Sequence, residues 1–225
     1  MKPSLPRLVR AVILACCVSG LAPLPSPAKP ADWAKEIDAL TADDATHPPP
    51  AHTVVFVGSS SIRRWATLAA DFPGLPLVQR GFGGSELADC VFYADRIVLP
   101  YRPRIIVLYA GENDIANGKS AETVAADFDA FCARIFAAQP AVRIICVSLK
   151  PSPLRAKLMP EFVRANRLLA AACARDRHLA FVDVYHPMLD AAGSPRPELF
   201  GPDQLHLVHD GYSLWVSLLN PLLRP

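Results

Sequence analysis

Five short apolar, mostly β-branched runs, separated by stretches of helical periodicity, constrain the fold of this chain more than any other feature. They are "TVVFV" (53–57), "PLVQR" (76–80), "RIIVLYA" (104–110), "VRIICVSL" (142–149) and "LAFVDVY" (179–185). Runs of this length and composition read as strands buried on both faces. Helices are predicted near 64–71, 86–99, 121–138, 160–176 and 209–220; in the third, Val124, Phe128, Phe131, Ile135 and Phe136 share one stripe. Strand and helix in alternation imply an α/β chain: a three-layer sandwich with a central parallel five-stranded sheet. Ligands of such sheets bind beyond the carboxyl ends of the strands, which directs attention to the loops after Val57, Arg80, Ala110, Leu149 and Tyr185.

The 225 residues suffice for one core, placed at 53–225. Before it, a short helix at "ADWAKEIDAL" and the linker-like "TADDATHPPPAH" occupy 29–52. Residues 1–28 read as an export signal: Lys2, Arg7 and Arg10 precede the apolar "AVILACCVSGLA", with small residues up to a cleavage point near Ala28. The run is shorter than the roughly 20 apolar residues a stable membrane span needs. The expected product is exported, periplasmic or secreted, with lipid anchoring at Cys16 as the alternative. Without residues 1–28 the chain holds 20 basic and 21 acidic residues, a balance that predicts no nucleic-acid partner. Cys90, Cys132, Cys146 and Cys173 show no metal-ligand spacing, so no metal and no cofactor are expected; they are either disulfide-bonded or buried thiols.

Four rim segments carry residue types suited to chemistry. After the first strand, "GSSS" brings a turn-forming glycine and a hydroxyl to a helix start, where backbone N–H groups favour developing negative charge; helix capping is the plainer use of such serines. "RGFGGSEL" (80–87) frees backbone N–H groups for close approach, yet lacks the G-x-G-x-x-G of a dinucleotide site. "YAGENDIANG" (109–118) offers the Asn113 amide as a donor. "PDQLHLVHDGY" (202–212) sets Asp203 three residues before His206, a spacing that lets a carboxylate orient an imidazole; His209 is the nearest decoy.

Together these four segments resemble the blocks of the SGNH hydrolases, the GDSL lipase and esterase family, over roughly 53 to 215. The resemblance implies a flavodoxin-like sheet and assigns Ser60 of "GSSSI" as nucleophile, with Asp203 and His206 of "DQLH" completing a triad. It assigns Ser60, Gly84 of "GFGG" and Asn113 of "GEND" to the oxyanion hole. Ser59 stands where the family usually has Asp, and Gln79 where its second block often begins with Asn. The G-x-S-x-G of α/β-hydrolases is absent, since position 62 is Ile. The implied reaction is hydrolysis of a small acyl ester or an acylated saccharide, with an inactive carbohydrate-binding protein of the same fold as the rival. Trp65, Phe82, Phe92, Tyr93 and Tyr109 serve either as core or as a sugar platform. "LKPSPLRAKLMPEF" (149–162) reads as a solvated loop, or as a substrate wall in which Arg155 or Lys157 meets an anion.

Overall fold

A computed structural model describes residues 30–224. The export segment, the cleavage point near Ala28 and the Cys16 alternative lie outside the described residues. In chain order the elements are α1 (Pro30–Thr41), β1 (Val54–Gly58), α2 (Ser60–Arg63), α3 (Leu68–Asp71), β2 (Leu77–Gly81), α4 (Leu87–Ile97), β3 (Ile105–Tyr109), α5 (Glu112–Ala116), α6 (Ala121–Ala138), β4 (Arg143–Val147), α7 (Met159–Cys173), β5 (Leu179–Val182) and α8 (His209–Leu223). The strands form one all-parallel sheet in the order β2-β1-β3-β4-β5.

Strand periodicity divides the core in two. Val55, Val57, Ile106 and Leu108 face one way and pack with residues of α1, α4, α6 and α7; Val54, Phe56, Ile105, Val107 and Tyr109 face the other way, toward Trp65, Phe72 and Trp215. Both faces are covered, which is why these strands carry no polar alternation. The α6 helix spans the predicted residues, its start set by Ser120, whose hydroxyl accepts the Thr123 N–H at 3.2 Å.

Two expectations are corrected in detail. The helix expected near 64–71 is two short turns, α2 and α3, because the chain turns helical at Ser60 and then breaks around Trp65, whose buried indole donates to Asp71 Oδ2 at 2.6 Å. The last strand stops at Val182 rather than Tyr185, since Asp183 Oδ1 accepts the N–H groups of Tyr185 (2.9 Å) and His186 (3.3 Å) and folds the chain into a turn. The α1 helix packs onto the core: Ile37 is fully buried, and Trp33 meets Phe82 edge-on at 5.8 Å. Among the described residues, no helix is long and apolar enough to cross a membrane.

Candidate active site

The end of β1 can be built only with glycine at position 58. Gly58 has φ +141°, and a Cβ there would sit 1.9 Å from the Tyr109 carbonyl oxygen of the neighbouring strand. The chain turns there, and the next residues start α2. Ser59 is the N-cap residue but makes no side-chain capping bond, and the Ser61 side chain is buried. Only Ser60 of the three lines the cleft at this end of the sheet. The α2 turn is held from two sides: Gln79 Nε2 donates to the carbonyls of Ile62 (2.5 Å) and Trp65 (3.1 Å), and the Tyr212 hydroxyl of α8 donates to the Ser61 carbonyl (2.9 Å).

His206 reaches Ser60 from the loop before α8, across 146 residues of sequence. Its Nε2 lies 2.9 Å from Ser60 Oγ, and its Nδ1 lies 2.7 Å from Asp203 Oδ2. An ionised carboxylate only accepts, so Nδ1 carries the proton and Nε2 accepts from the Ser60 hydroxyl. The other Asp203 oxygen accepts the backbone N–H groups of Leu205 (3.0 Å) and His206 (2.9 Å), so one side chain pins both the loop and the ring. Those bonds hold the Asp203 carboxyl well below the usual carboxylate range, the His206 backbone N–H foremost and the His206 ring next. His209, the decoy, starts α8 on the exposed side, where among the described residues it has only a long contact to Ser213 (3.4 Å).

The second and third rim loops meet beside Ser60. Gly84 adopts φ +77°, and a Cβ there would come within 3.3 Å of the Trp33 ring. Ser85 does not cap α4; its hydroxyl donates to the Phe82 carbonyl at 3.0 Å, while Glu86 and Asp89 form a reciprocal capping box. Asn113 lines the cleft with both ends of its amide engaged: Nδ2 donates to the Ser85 carbonyl (3.0 Å) and Oδ1 accepts from Arg155 Nη2 (2.9 Å). Arg155 is thus no part of a solvated loop. It pairs with Glu112 at 3.0 Å, and Glu112 also pairs with buried Lys150 at 2.6 Å and accepts from the Tyr109 hydroxyl. Burial alone would raise the Glu112 carboxyl, but the Lys150 and Arg155 charges outweigh it and hold it below its ordinary value.

The cleft over Ser60 measures about 340 Å³ and is lined by Ser60, Gly84, Asn113 and His206 together with Arg63, Arg64, Gly83, Arg155 and Leu205. Trp65, Phe82, Tyr93 and Tyr109 belong to the core, and Phe92, though exposed, does not line the cleft; a sugar platform from these five is corrected accordingly. A wider cleft of about 630 Å³ opens at the opposite end of the sheet, around Leu99, Pro103 and Gln139, far from the serine and the imidazole.

Sequence reading missed two features. Asp183 and His186 repeat the Asp-x-x-His spacing, with their own contact of 2.5 Å, but no serine is bonded to that imidazole among the described residues. Glu36 of α1 accepts from the Gly83 N–H (3.2 Å) and from Arg63 Nη1 (2.9 Å), tying a helix outside the four blocks to the glycine loop.

A parallel five-stranded α/β sheet with a serine, a histidine and an aspartate in a chain of hydrogen bonds at its carboxyl rim defines the class of the GDSL and SGNH hydrolases. The chain belongs to the GDSL-like Lipase/Acylhydrolase family, whose model matches residues 38–214. Among solved structures it is similar to a protein described as a platelet activating factor from Streptococcus pneumonia (TM-score 0.77, 18% identity, 86% of this chain and 94% of that one). It is also similar to a GDSL-like lipase from Bacteroides thetaiotaomicron (TM-score 0.71, 20% identity, 83% and 96%) and to a protein described as an acylhydrolase from Bacteroides fragilis (TM-score 0.69, 22% identity, 85% and 96%). At these identities the likeness is one of fold. No curated protein matches the sequence.

Proposed function

We propose that the protein is a serine esterase that transfers an acyl group from a carboxylic ester to water. The observation that carries this reading is the unbroken chain from Asp203 Oδ2 through the His206 ring to Ser60 Oγ, at 2.7 and 2.9 Å. As Ser60 Oγ attacks the ester carbonyl, His206 Nε2 takes its proton, and the ionised Asp203 stabilises the imidazolium. His206 then returns the proton to the departing alcohol, and a water repeats the sequence to release the acid.

The backbone N–H groups of Ser60 and Gly84 and the second amide hydrogen of Asn113 are the donors we assign to the oxyanion. Supporting the last assignment, the Arg155 bond to Oδ1 prevents the Asn113 amide from turning its oxygen toward the negative charge. The substrate we propose is a small acyl ester, simple or carried on a saccharide, acted on by an exported protein. Hydrolysis of p-nitrophenyl acetate, butyrate and octanoate by the wild type beside Ser60→Ala tests the reading. Turnover that vanishes in the variant is expected, and turnover unchanged by it would remove Ser60 as nucleophile.

A further inference from the structure

The residues lining the cleft over Ser60 include three arginines and no carboxylate. Arg63 and Arg64 stand three and four residues after Ser60, and Arg155 arrives from the segment after β4. Each guanidinium has a carboxylate outside the lining: Arg63 pairs with Glu36 at 2.9 Å, Arg64 with Asp203 at 3.4 Å and Arg155 with Glu112 at 3.0 Å. Glu112 is shared with Lys150, so the four cations outnumber these three carboxylates by one.

The three arginines are not equivalent. The Arg155 side chain is 17% exposed and is bonded to both Glu112 and Asn113, which makes it a positioning residue for the amide. The Arg63 and Arg64 side chains are 50% and 52% exposed, and each ion pair uses one of the five N–H donors a guanidinium carries. Guanidinium groups in this state suit a planar or tetrahedral oxyanion, which they grip by two parallel bonds. A neutral ester offers them no such partner. Arg64 shares Asp203 Oδ2 with His206 Nδ1, which places it near the imidazole that would return a proton to the leaving alcohol.

Resting on the serine esterase reading, we infer that the natural substrate is an acyl ester of an acidic alcohol, its carboxylate or phosphate held beside the ester by Arg63 and Arg64. Uronic acids and phosphorylated polyols have this chemistry. The recognition lies on the alcohol side of the ester, so it acts on binding and on the specificity ratio rather than on the acyl-enzyme, which no longer contains that group.

The test compares kcat/KM for three acetyl esters, 3-acetoxybenzoate, 3-acetoxyphenyl phosphate and the neutral 3-acetoxybenzamide, with the wild type, Ser60→Ala, Arg63→Gln, Arg63→Lys and Arg64→Gln. Ratios of anionic to neutral ester are compared between proteins, which cancels any general loss of activity and any difference in leaving group. At low salt the wild type should favour one or both anionic esters by roughly tenfold or more, and Arg63→Gln and Arg64→Gln should each erase most of that preference. Arg63→Lys should keep part of it, since the charge remains and the fork is lost. Raising the salt from about 10 mM to about 500 mM should shrink the preference in the wild type. The larger of the two anionic ratios identifies carboxylate or phosphate as the group read.

Ser60-dependent hydrolysis with equal ratios, or a preference that both glutamine variants leave intact, would overturn this inference and leave the esterase reading standing. Absence of Ser60-dependent hydrolysis of all three esters would instead overturn the esterase reading, and the inference with it.

Discussion

At Asn113, two bonds decide which end of a side-chain amide is left for the cleft. Arg155 holds the oxygen and the Ser85 carbonyl takes one amide hydrogen, so the remaining hydrogen is the donor left for the cleft. Asn113→Ala should lower kcat by about 100- to 1000-fold with a small change in KM, the loss typical of one oxyanion donor. Steady-state kinetics on p-nitrophenyl acetate measure both quantities, and retained turnover would take Asn113 out of that role. The proposed triad makes a prediction about pH. Asp203 stays ionised in acid because the His206 backbone N–H, then the His206 ring and the Leu205 N–H, stabilise its charge. Its lowered folded value means that its contribution to stability is present above the ordinary carboxylate range and is lost only as pH falls through the lowered value. The fall in activity on acidification is therefore assigned to the imidazole. It should follow the slope of a single proton in a kcat/KM profile. A profile flat to pH 4 would exclude a histidine base.

Elements, rather than single residues, hold the two glycine and asparagine loops in register. The Asp114 carboxylate on α5 accepts the Leu87 N–H at the start of α4 at 3.1 and 3.2 Å, and Lys119 bridges Asp114 (3.2 Å) to Glu86 (2.7 Å). Burial drives the Asp114 carboxyl up to about 6, against the opposing pull of Lys119 and the Leu87 N–H. The folded protein then binds more protons than the unfolded chain between about pH 4 and pH 6, and the stability owed to this group falls as pH rises through that window. Asp114→Asn removes the titration, so the variant's unfolding free energy relative to wild type should climb by up to about 3 kcal/mol from pH 4 to pH 7. Urea titrations at several pH values measure it, and a difference constant with pH would contradict the assignment. From the other side, α1 braces the glycine loop through Glu36 and Trp33. Glu36→Gln should reduce kcat by roughly tenfold through loss of loop alignment while leaving the thermal midpoint within a few degrees.

Across the whole molecule, the core layer packed with α1, α4, α6 and α7 encloses the cysteines as well as one face of the strands. Cys90, Cys132, Cys146 and Cys173 are free and buried. These four should react with a thiol reagent such as dithionitrobenzoate only after unfolding, and fast reaction in the native protein would show the core to be open. The same burial explains what was legible beforehand. Apolar runs such as "TVVFV" and the Val124 to Phe136 stripe state which faces must leave water, and this requirement is local, so class, strand positions and the α6 helix follow from residue order alone. The nature of the rim loops was also legible, because glycines, serines and an Asp-x-x-His pair are local patterns. Which pattern counts was not legible from spacing alone, and only the family resemblance singled out Asp203 and His206. Three Asp-x-x-His pairs occur, Asp44 with His47, Asp183 with His186 and Asp203 with His206, and spacing treats them alike; only the return of the chain toward α8 brings one imidazole within 2.9 Å of Ser60. Arg155 and Glu36 gained their places in the same way, by contacts that span 42 and 47 residues. Sequence by itself determined the sheet and the chemical types at its rim, because hydrophobic periodicity and turn chemistry act between near neighbours. Tertiary structure alone decided which of those groups meet, because hydrogen bonds form over about 3 Å and only the packed sheet closes such distances between remote segments.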